Sequence, residues 1–339
     1  MPNGSASRSG VRTALAGVLA FVALAAAGCA GTGAGGGPGP GPGTASPTRA
    51  ADRGRVSVVY EESTVKPGDR RVVALIRDSR VLERTADWVN RTVALPHDLV
   101  VKVTAAVPPG VTDAVAQPDG RTIYLPPSFL TEVQEALTDV VKTVERPSLI
   151  PAADYDSDDL TVLATRFLLG HELGHALQRQ LTLPNLGLEE DAADGFASFY
   201  TIGEAGPGPS LAAALLFDEL ARKEGELTLE GLASDHPVTQ QRVFNFLCYL
   251  DGSDPGRFRG PLVETGYLPE SRAWLCPQAW AMLDHGWWTQ LQPHFTAAYR
   301  ARGDAEQRKA RERLAAETKA FAERIDEFRS GTRSGGTVG

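Results

Sequence analysis

The stretch His171-Glu172-Leu173-Gly174-His175 decides how this chain folds around a site. On an α-helix, residues four apart share one face, with their β-carbons about 5–6 Å apart. Both imidazoles can then reach one Zn²⁺ ion at roughly 2.0–2.1 Å, and Glu172 lies beside it as a general base for a bound water. The chain has only six histidines, so this spacing indicates a metal site rather than a chance polar cluster.

The residues around this motif predict a helix over 160–181, with apolar residues at helical intervals. We expect Ser157 to cap its N-terminus and Pro184 to mark the turn that follows. The histidines therefore lie in the middle of a mostly apolar helix. Burying such a cluster without partners is costly, and a metal ion provides them.

The third ligand is expected from the acidic start of the next predicted helix, 189–202. We choose Glu190, and place Asp194 behind the ligands, where it accepts the N–H of a ligand histidine. Glu189 and Asp191 remain alternatives to Glu190. An acidic first turn that only stabilises the helix dipole is the structural alternative. The extended metzincin pattern, which has a third histidine, is excluded because Gln178 and Leu181 stand at the positions of its Gly and His.

These motifs carry a family resemblance. HELGH followed by Glu190-x-x-Ala-Asp resembles the gluzincin zinc metallopeptidases, and His236-Pro237 with Arg242 resembles an element of HtpX-like peptidases. The stretch 60–294 is more similar to a family of uncharacterised bacterial "putative metallopeptidases". The resemblance implies a zinc cofactor and an α+β, zincin-like fold, in which a small N-terminal mixed sheet precedes a mainly helical part.

His236 and Arg242 are candidate catalytic residues, because such side chains can donate to the oxyanion of a tetrahedral intermediate. The alternative is structural: residues 234–237 can simply begin a helix, with Ser234 or Asp235 as the N-cap and Pro237 in the first turn. Both roles can hold together.

The N-terminus predicts export. Residues 1–28 combine basic residues with an apolar run that is too short for a stable membrane span, as in a lipoprotein-type signal peptide. Cleavage would leave Cys29 as the first residue, available for lipidation and anchoring to the outer face of a bacterial membrane. If that site is not used, the protein is secreted. Residues 29–52 are a Gly/Pro-rich tether that cannot bury enough apolar surface to fold.

The cysteines are consistent with this compartment. With Cys29 acylated, Cys248 and Cys276 remain as a pair, and we expect a disulfide between them. Two buried thiols, or thiolates of another metal site, are the alternatives. The net charge of −8 and the lack of a basic patch argue against nucleic-acid binding.

The predicted layout is a metallopeptidase-like domain over 53–302 and a charged helix and tail over 303–339. Strands are expected at 55–60, 97–107 and 122–125, and helices at 72–91, 211–223, 237–250, 271–283 and 288–300. By resemblance, strand 122–125 is a candidate edge for binding an extended polypeptide. A buried core strand is the alternative.

The resulting hypothesis is an extracytoplasmic zinc metalloendopeptidase. Zinc is held by His171, His175 and Glu190, and Glu172 removes a proton from a metal-activated water that attacks the peptide bond. Two other functions fit the same site: a non-catalytic zinc-containing binding lipoprotein, and a hydrolase of cell-wall amides. The sequence does not indicate the substrate preference or the oligomeric state.

Overall fold

The helix that carries the two histidines lies at the centre of the structure. The computed structural model describes residues 54–142, 155–225, 227–233 and 236–329. The predicted signal peptide, Cys29, the predicted tether, Ser234 and Asp235 lie outside these residues. The strands are β1 (Val56–Tyr60), β2 (Leu99–Val103), β3 (Val115–Ala116) and β4 (Thr122–Leu125). The helices are α1 (Arg70–Ser79), α2 (Val81–Thr92), α3 (Pro127–Lys142), α4 (Ser157–Leu181), α5 (Glu189–Tyr200), α6 (Gly208–Glu224), α7 (Leu229–Leu232), α8 (Thr239–Ser253), α9 (Pro255–Glu264), α10 (Glu270–Ala273), α11 (Cys276–Leu291) and α12 (Arg300–Arg329).

The strands form one mixed sheet in the order β1-β2-β4-β3. β1, β2 and β4 are parallel, and the short β3 pairs antiparallel with β4. Buried and partly exposed side chains alternate along β2 and β4, so one face of the sheet packs on the core. The described part of the chain is thus a mainly helical α+β fold with a small N-terminal sheet, as the sequence predicts.

The expectation that strand 122–125 forms an edge is wrong. Ile123 pairs with Val101 on one side and with Ala116 on the other, and Tyr124 is likewise flanked by two strands. Ile123 and Leu125 are buried, so β4 is the core strand of the alternative interpretation. The exposed edges of the sheet belong to β1 and β3.

Three helix predictions also need correction. The predicted helix 72–91 is two helices, because Arg80 takes a left-handed conformation with φ of 54° and turns the chain between them. Each half then buries its own apolar face. The helices predicted at 271–283 and 288–300 are replaced by α10 and the continuous α11, and α9 begins after Asp254, whose side chain accepts a hydrogen bond from Arg257 N.

The central helix α4 is enclosed most completely over residues 169–178, all of which are buried. Its second half, including Leu169, Leu173 and Leu177, packs into the cluster formed by the sheet, α1 and α2. Its first half, including Ala164 and Phe167, packs into a second cluster with α3, α6 and α8. The helix begins after Asp156, whose carboxylate accepts hydrogen bonds from two backbone N–H groups; the N-cap is therefore Asp156 and not Ser157. The polar side chains of residues 169–178 are therefore largely shielded from solvent.

Helices α4 and α5 approach closely because glycine on one faces alanine on the other. A β-carbon on Gly174 would lie 2.9 Å from Ala193 Cα, and one on Gly170 would lie 3.2 Å from Ala197 Cα. The two glycines are four residues apart, so they form a groove along one face of α4. This groove lets the backbone of α5 lie against α4 and brings the first turn of α5 next to the histidines.

A buried disulfide joins Cys248 of α8 to Cys276 at the start of α11. This is the pair that the sequence analysis linked. None of the helices in the described residues combines the length and the hydropathy needed to span a lipid bilayer.

We predict that Gly174→Ala destabilises the protein by about 1–3 kcal/mol, because the added methyl group pushes against the backbone of α5. Urea denaturation measures this loss. Gly286→Ala is the matched control, since it also lies inside a helix but a β-carbon there meets nothing within 4 Å. It should stabilise the protein by about 0.5–1 kcal/mol, from helix propensity alone. Equal effects of the two substitutions would contradict the tight α4–α5 contact.

Candidate metal centre

The two histidines of α4 point their outer ring nitrogens at each other. His171 Nε2 and His175 Nε2 are 3.1 Å apart, and both side chains are buried. The four-residue spacing places the rings on one face of the helix. This face is turned toward the first turn of α5.

Glu190 completes a group of three donors. Its Oε2 lies 3.1 Å from His171 Nε2 and its Oε1 lies 3.4 Å from His175 Nε2. Donor atoms held at roughly 2.0–2.1 Å around a tetrahedral ion are about 3.3 Å from each other. The spacing of these three side chains therefore matches a metal ion bound between them.

The two histidines are held by carboxylates on their inner nitrogens. Asp194 Oδ1 lies 2.8 Å from His171 Nδ1, and Glu189 Oε1 lies 2.7 Å from His175 Nδ1. A carboxylate only accepts hydrogen bonds, so each Nδ1 carries the proton and donates it. When the ring is neutral, its Nε2 atom then carries a lone pair, and this lone pair points at the centre of the group.

When both rings are neutral, the centre of the group therefore contains acceptors that lack donors. Glu190 Oε2 is buried and accepts no hydrogen bond of good geometry, although two imidazole nitrogens lie close to it. A buried acceptor without a partner is costly unless a cation is bound there. This orphaned oxygen and the two histidine lone pairs fit a divalent metal ion.

The electrostatics of the site favour positive charge. Burial by itself lowers the pKa of His171, but its contacts with the Asp194 and Glu190 carboxylates and the nearby charge of Glu172 raise it to about 10. Burial opposes the ionisation of Glu190, yet its close contacts with His171 and His175 bring its pKa well below the usual range. Without a metal, a proton on His171 partly compensates the carboxylates.

The three acidic residues at the start of α5 have different roles. Glu190 faces both histidines, whereas Glu189 holds His175 from behind. The pKa of Asp191 is raised by burial and by the charge of Asp194, and Asp191 is not one of the three clustered donors. Of the alternatives that the sequence left open, Glu190 is the one that the structure places among the donors.

Arg242 acts on the site through Asp194. Its Nε and Nη2 donate to the two carboxylate oxygens of Asp194 at 2.8 Å each, and its guanidinium lies 4.2 Å from the centre of the Phe217 ring. Burial raises the pKa of Asp194, but the hydrogen bonds from His171 and Arg242 lower it below its usual range. In these contacts Arg242 positions Asp194, and its expected role as a donor to substrate stays a prediction.

His236 lies at the open side of the group. Its Nε2 is 3.1 Å from Glu190 Oε2, and half of its side chain is exposed. The expected helix start at Pro237 is wrong, because α8 begins at Thr239 with Val238 as its N-cap. A residue before proline avoids the helical conformation, so His236 stays in the segment before the helix and its side chain turns toward Glu190.

The sequence analysis missed one link between the site and the sheet. Arg179 donates to Glu189 Oε1 at 2.8 Å and to the backbone oxygens of Ala116 and Gln117 at 2.7 and 3.1 Å. A signal for it exists in the sequence, because Arg179 follows His175 by four residues and so shares its helix face. Its partners on β3 depend on the tertiary fold.

The sequence matches one family model. The model of a family described as "Putative metallopeptidase" matches residues 60–291. The chain belongs to this family. The match runs from the end of β1 to the end of α11, so it includes His171, His175 and Glu190, while α12 lies beyond it. Neither the curated proteins nor the solved structures contain a significant match.

We predict that Glu190→Gln weakens divalent-metal binding at least tenfold, because the amide removes the negative charge of one ligand. Asp191→Asn is the matched control and should retain the metal, since Asp191 faces neither histidine. Both can be measured by elemental analysis after dialysis against a weak chelator. Loss of metal in Asp191→Asn with retention in Glu190→Gln would reverse the assignment.

We also predict that metal affinity keeps rising with pH above pH 7.5. A metal must displace the proton of His171, and the raised pKa of about 10 means that this proton competes throughout the neutral range. The apparent affinity should increase by up to about tenfold per pH unit. Competition with a chelator, using Co²⁺ as the probe between pH 6.5 and 8.5, measures the slope. A flat profile above pH 7.5 would indicate an ordinary histidine.

Proposed function

We propose that this protein is a zinc-dependent endopeptidase. The observation that carries the proposal is the convergence of His171 Nε2, His175 Nε2 and the Glu190 carboxylate on one point, with donor spacings of 3.1–3.4 Å. Two nitrogen ligands and one carboxylate are a common donor set for catalytic zinc, which keeps a further position open for water. Membership of a metallopeptidase family agrees with this chemistry.

Glu172 is the proposed general base. It lies between the two ligand histidines on α4, is buried, and is close enough to His171 for its charge to raise the pKa of that ring. A zinc ion held by the three ligands would supply a water of lowered pKa, near 7, and a polarised scissile carbonyl. Glu172 takes the proton of the attacking water and passes it to the leaving amine, which is typically worth about 10²–10⁴ in rate.

His236 is the proposed donor to the developing oxyanion. Its half-exposed ring reaches the rim of the site beside Glu190, so a substrate carbonyl at the site can meet it. A donor of this kind strengthens its contact as negative charge develops on the substrate oxygen. Arg242 contributes indirectly, since it holds Asp194, which in turn orients His171.

The fold supports a zincin-like, gluzincin-type arrangement. A mixed sheet precedes the helix that carries both histidines, and the following helix supplies the glutamate ligand, as in the resemblance derived from the sequence. The more distant likeness to HtpX-like peptidases rests on His236 and Arg242, which lie beside the ligands.

We further propose that the protein works outside the cytoplasm. Residues 1–28 would be removed, Cys29 would be lipidated, and residues 29–52 would tether the domain 53–302 and the tail 303–339 to the membrane surface. Without lipidation the protein would be secreted. The buried Cys248–Cys276 disulfide supports an oxidising compartment.

Glu172→Gln tests the mechanism. The variant should bind zinc with the same stoichiometry and lose hydrolysis of an unstructured polypeptide such as β-casein by at least 10²-fold, because the amide cannot accept the proton. Zinc content by elemental analysis and cleavage by mass spectrometry measure the two effects. Glu189→Gln is a useful comparison, since it should weaken the metal site while leaving the base.

The outcomes separate the three functions. Full activity in a zinc-loaded Glu172→Gln protein would contradict the proposed base. Zinc binding without cleavage of any polypeptide would favour a non-catalytic binding lipoprotein, and cleavage of muropeptides alone would favour a hydrolase of cell-wall amides.

A further inference from the structure

A second cavity lies at the far end of α5 from the metal centre. Its volume is about 560 Å³, which is within the range of roughly 300–1,000 Å³ typical of small-molecule sites. Tyr200 lines it, whereas Glu190, ten residues earlier, belongs to the metal centre, so the two sites are about 15 Å apart along the helix. They share no residue.

The floor of this cavity is aromatic. Trp88, Phe199, Tyr200 and Trp280 are almost fully buried yet line the space. Trp288 and Tyr299 add a wall, with their rings stacked at 6.5 Å between centroids. Such surfaces favour a flat apolar body that can stack on them.

Small residues keep the cavity open. After α5 the chain continues as a π-helical turn, Thr201–Ala205, and then passes through Gly206. A β-carbon on Gly203 or Gly206 would meet nothing within 4 Å. A π-helical turn is rare and is frequently found at functional sites.

The charged residues around the cavity differ in the partners that they already have. Four carboxylates line it. Glu204, Asp284 and Glu306 form ion pairs with Arg91, Arg313 and Lys309, and Asp254 accepts a hydrogen bond from the backbone N–H of Arg257.

Two guanidinium groups that line the cavity have no ion-pair partner among the described residues. Arg257 and Arg302 line the cavity and contact only the rings of Phe258 and Tyr299, at 5.0 and 5.7 Å from the ring centres. Neither forms an ion pair within the part of the chain that the structure describes. The positive charge that remains available around the cavity is therefore that of these two arginines.

We propose that this cavity binds a small organic anion. Its flat apolar body would stack on the tryptophans, and its carboxylate or phosphate would pair with Arg257 and Arg302. A guanidinium suits both anions, because its planar fork can donate two parallel hydrogen bonds. The site does not depend on the metal centre or on peptidase activity.

N-acetyl-phenylalanine is the first probe, compared with its neutral amide and with phenyl phosphate. Three of the five tryptophans line the cavity, so tryptophan fluorescence and saturation-transfer NMR on the full-length protein should both detect binding. The acid should bind at least tenfold more tightly than the amide. The affinity of phenyl phosphate relative to the acid then distinguishes a carboxylate site from a phosphate site.

Substitutions locate the binding. Arg257→Gln combined with Arg302→Gln should reduce the affinity of the acid to that of the amide, whereas Arg308→Gln, an exposed arginine of the same helix as Arg302 but outside the cavity, should change nothing. Gly203→Leu should fill the space and abolish binding of both compounds. Thermal melting of each variant confirms that it is folded.

An anion could also bind at a metal ion, so each titration is repeated after chelation with EDTA. Binding that survives chelation and is lost in Gly203→Leu supports the cavity. The proposal is overturned if the acid does not bind at millimolar concentration, if the amide binds equally well, if the two arginine substitutions have no effect, or if chelation removes the binding.

Discussion

The close contact of α4 and α5 is the constraint on which the rest of the site depends. The three candidate metal ligands come from two helices, and their donor atoms lie 3.1–3.4 Å apart. That requires the two helix backbones to approach more closely than ordinary side chains allow. Gly170 and Gly174 make this possible, because Ala193 and Ala197 occupy the space that their β-carbons would fill. The same pentapeptide therefore supplies two of the candidate metal ligands, the proposed base and one of the two glycines that set the distance to Glu190.

The carboxylates of the site have separable tasks. Glu190 faces the point where a cation would bind, while Asp194 and Glu189 each fix one histidine ring from behind. Arg242 and Arg179 in turn neutralise these two supporting carboxylates. Each histidine thus has a carboxylate and an arginine behind it, and this pairing confines the uncompensated negative charge to the open side of the group. A divalent cation is attracted to that side without the cost of further buried charges.

Local patterns predicted the cluster of His171, His175 and Glu190, because its information lies within one helix and the first turn of the next. The spacing of His171 and His175 and the acidic start of α5 needed no knowledge of the tertiary fold. The sheet could not be predicted equally well, since the order β1-β2-β4-β3 depends on pairing between distant segments. The helix break at Arg80 could not be predicted, because arginine rarely adopts the left-handed conformation that it has there. The contacts of Arg179 with residues 116 and 117 could not be found from helical spacing either, because they too depend on how distant segments pack together.

Arg179 connects the site to the sheet through hydrogen bonds. One guanidinium binds the backbone oxygens of Ala116 and Gln117 and also the carboxylate that orients His175. The hairpin of β3 and β4 lies at the edge of the sheet, where another strand can still be added. Anything that pulls this hairpin away from α4 must either break the contacts of Arg179 or draw Glu189 with it. The orientation of His175 is therefore sensitive to what binds at this edge of the sheet, although the edge contributes none of the candidate ligands.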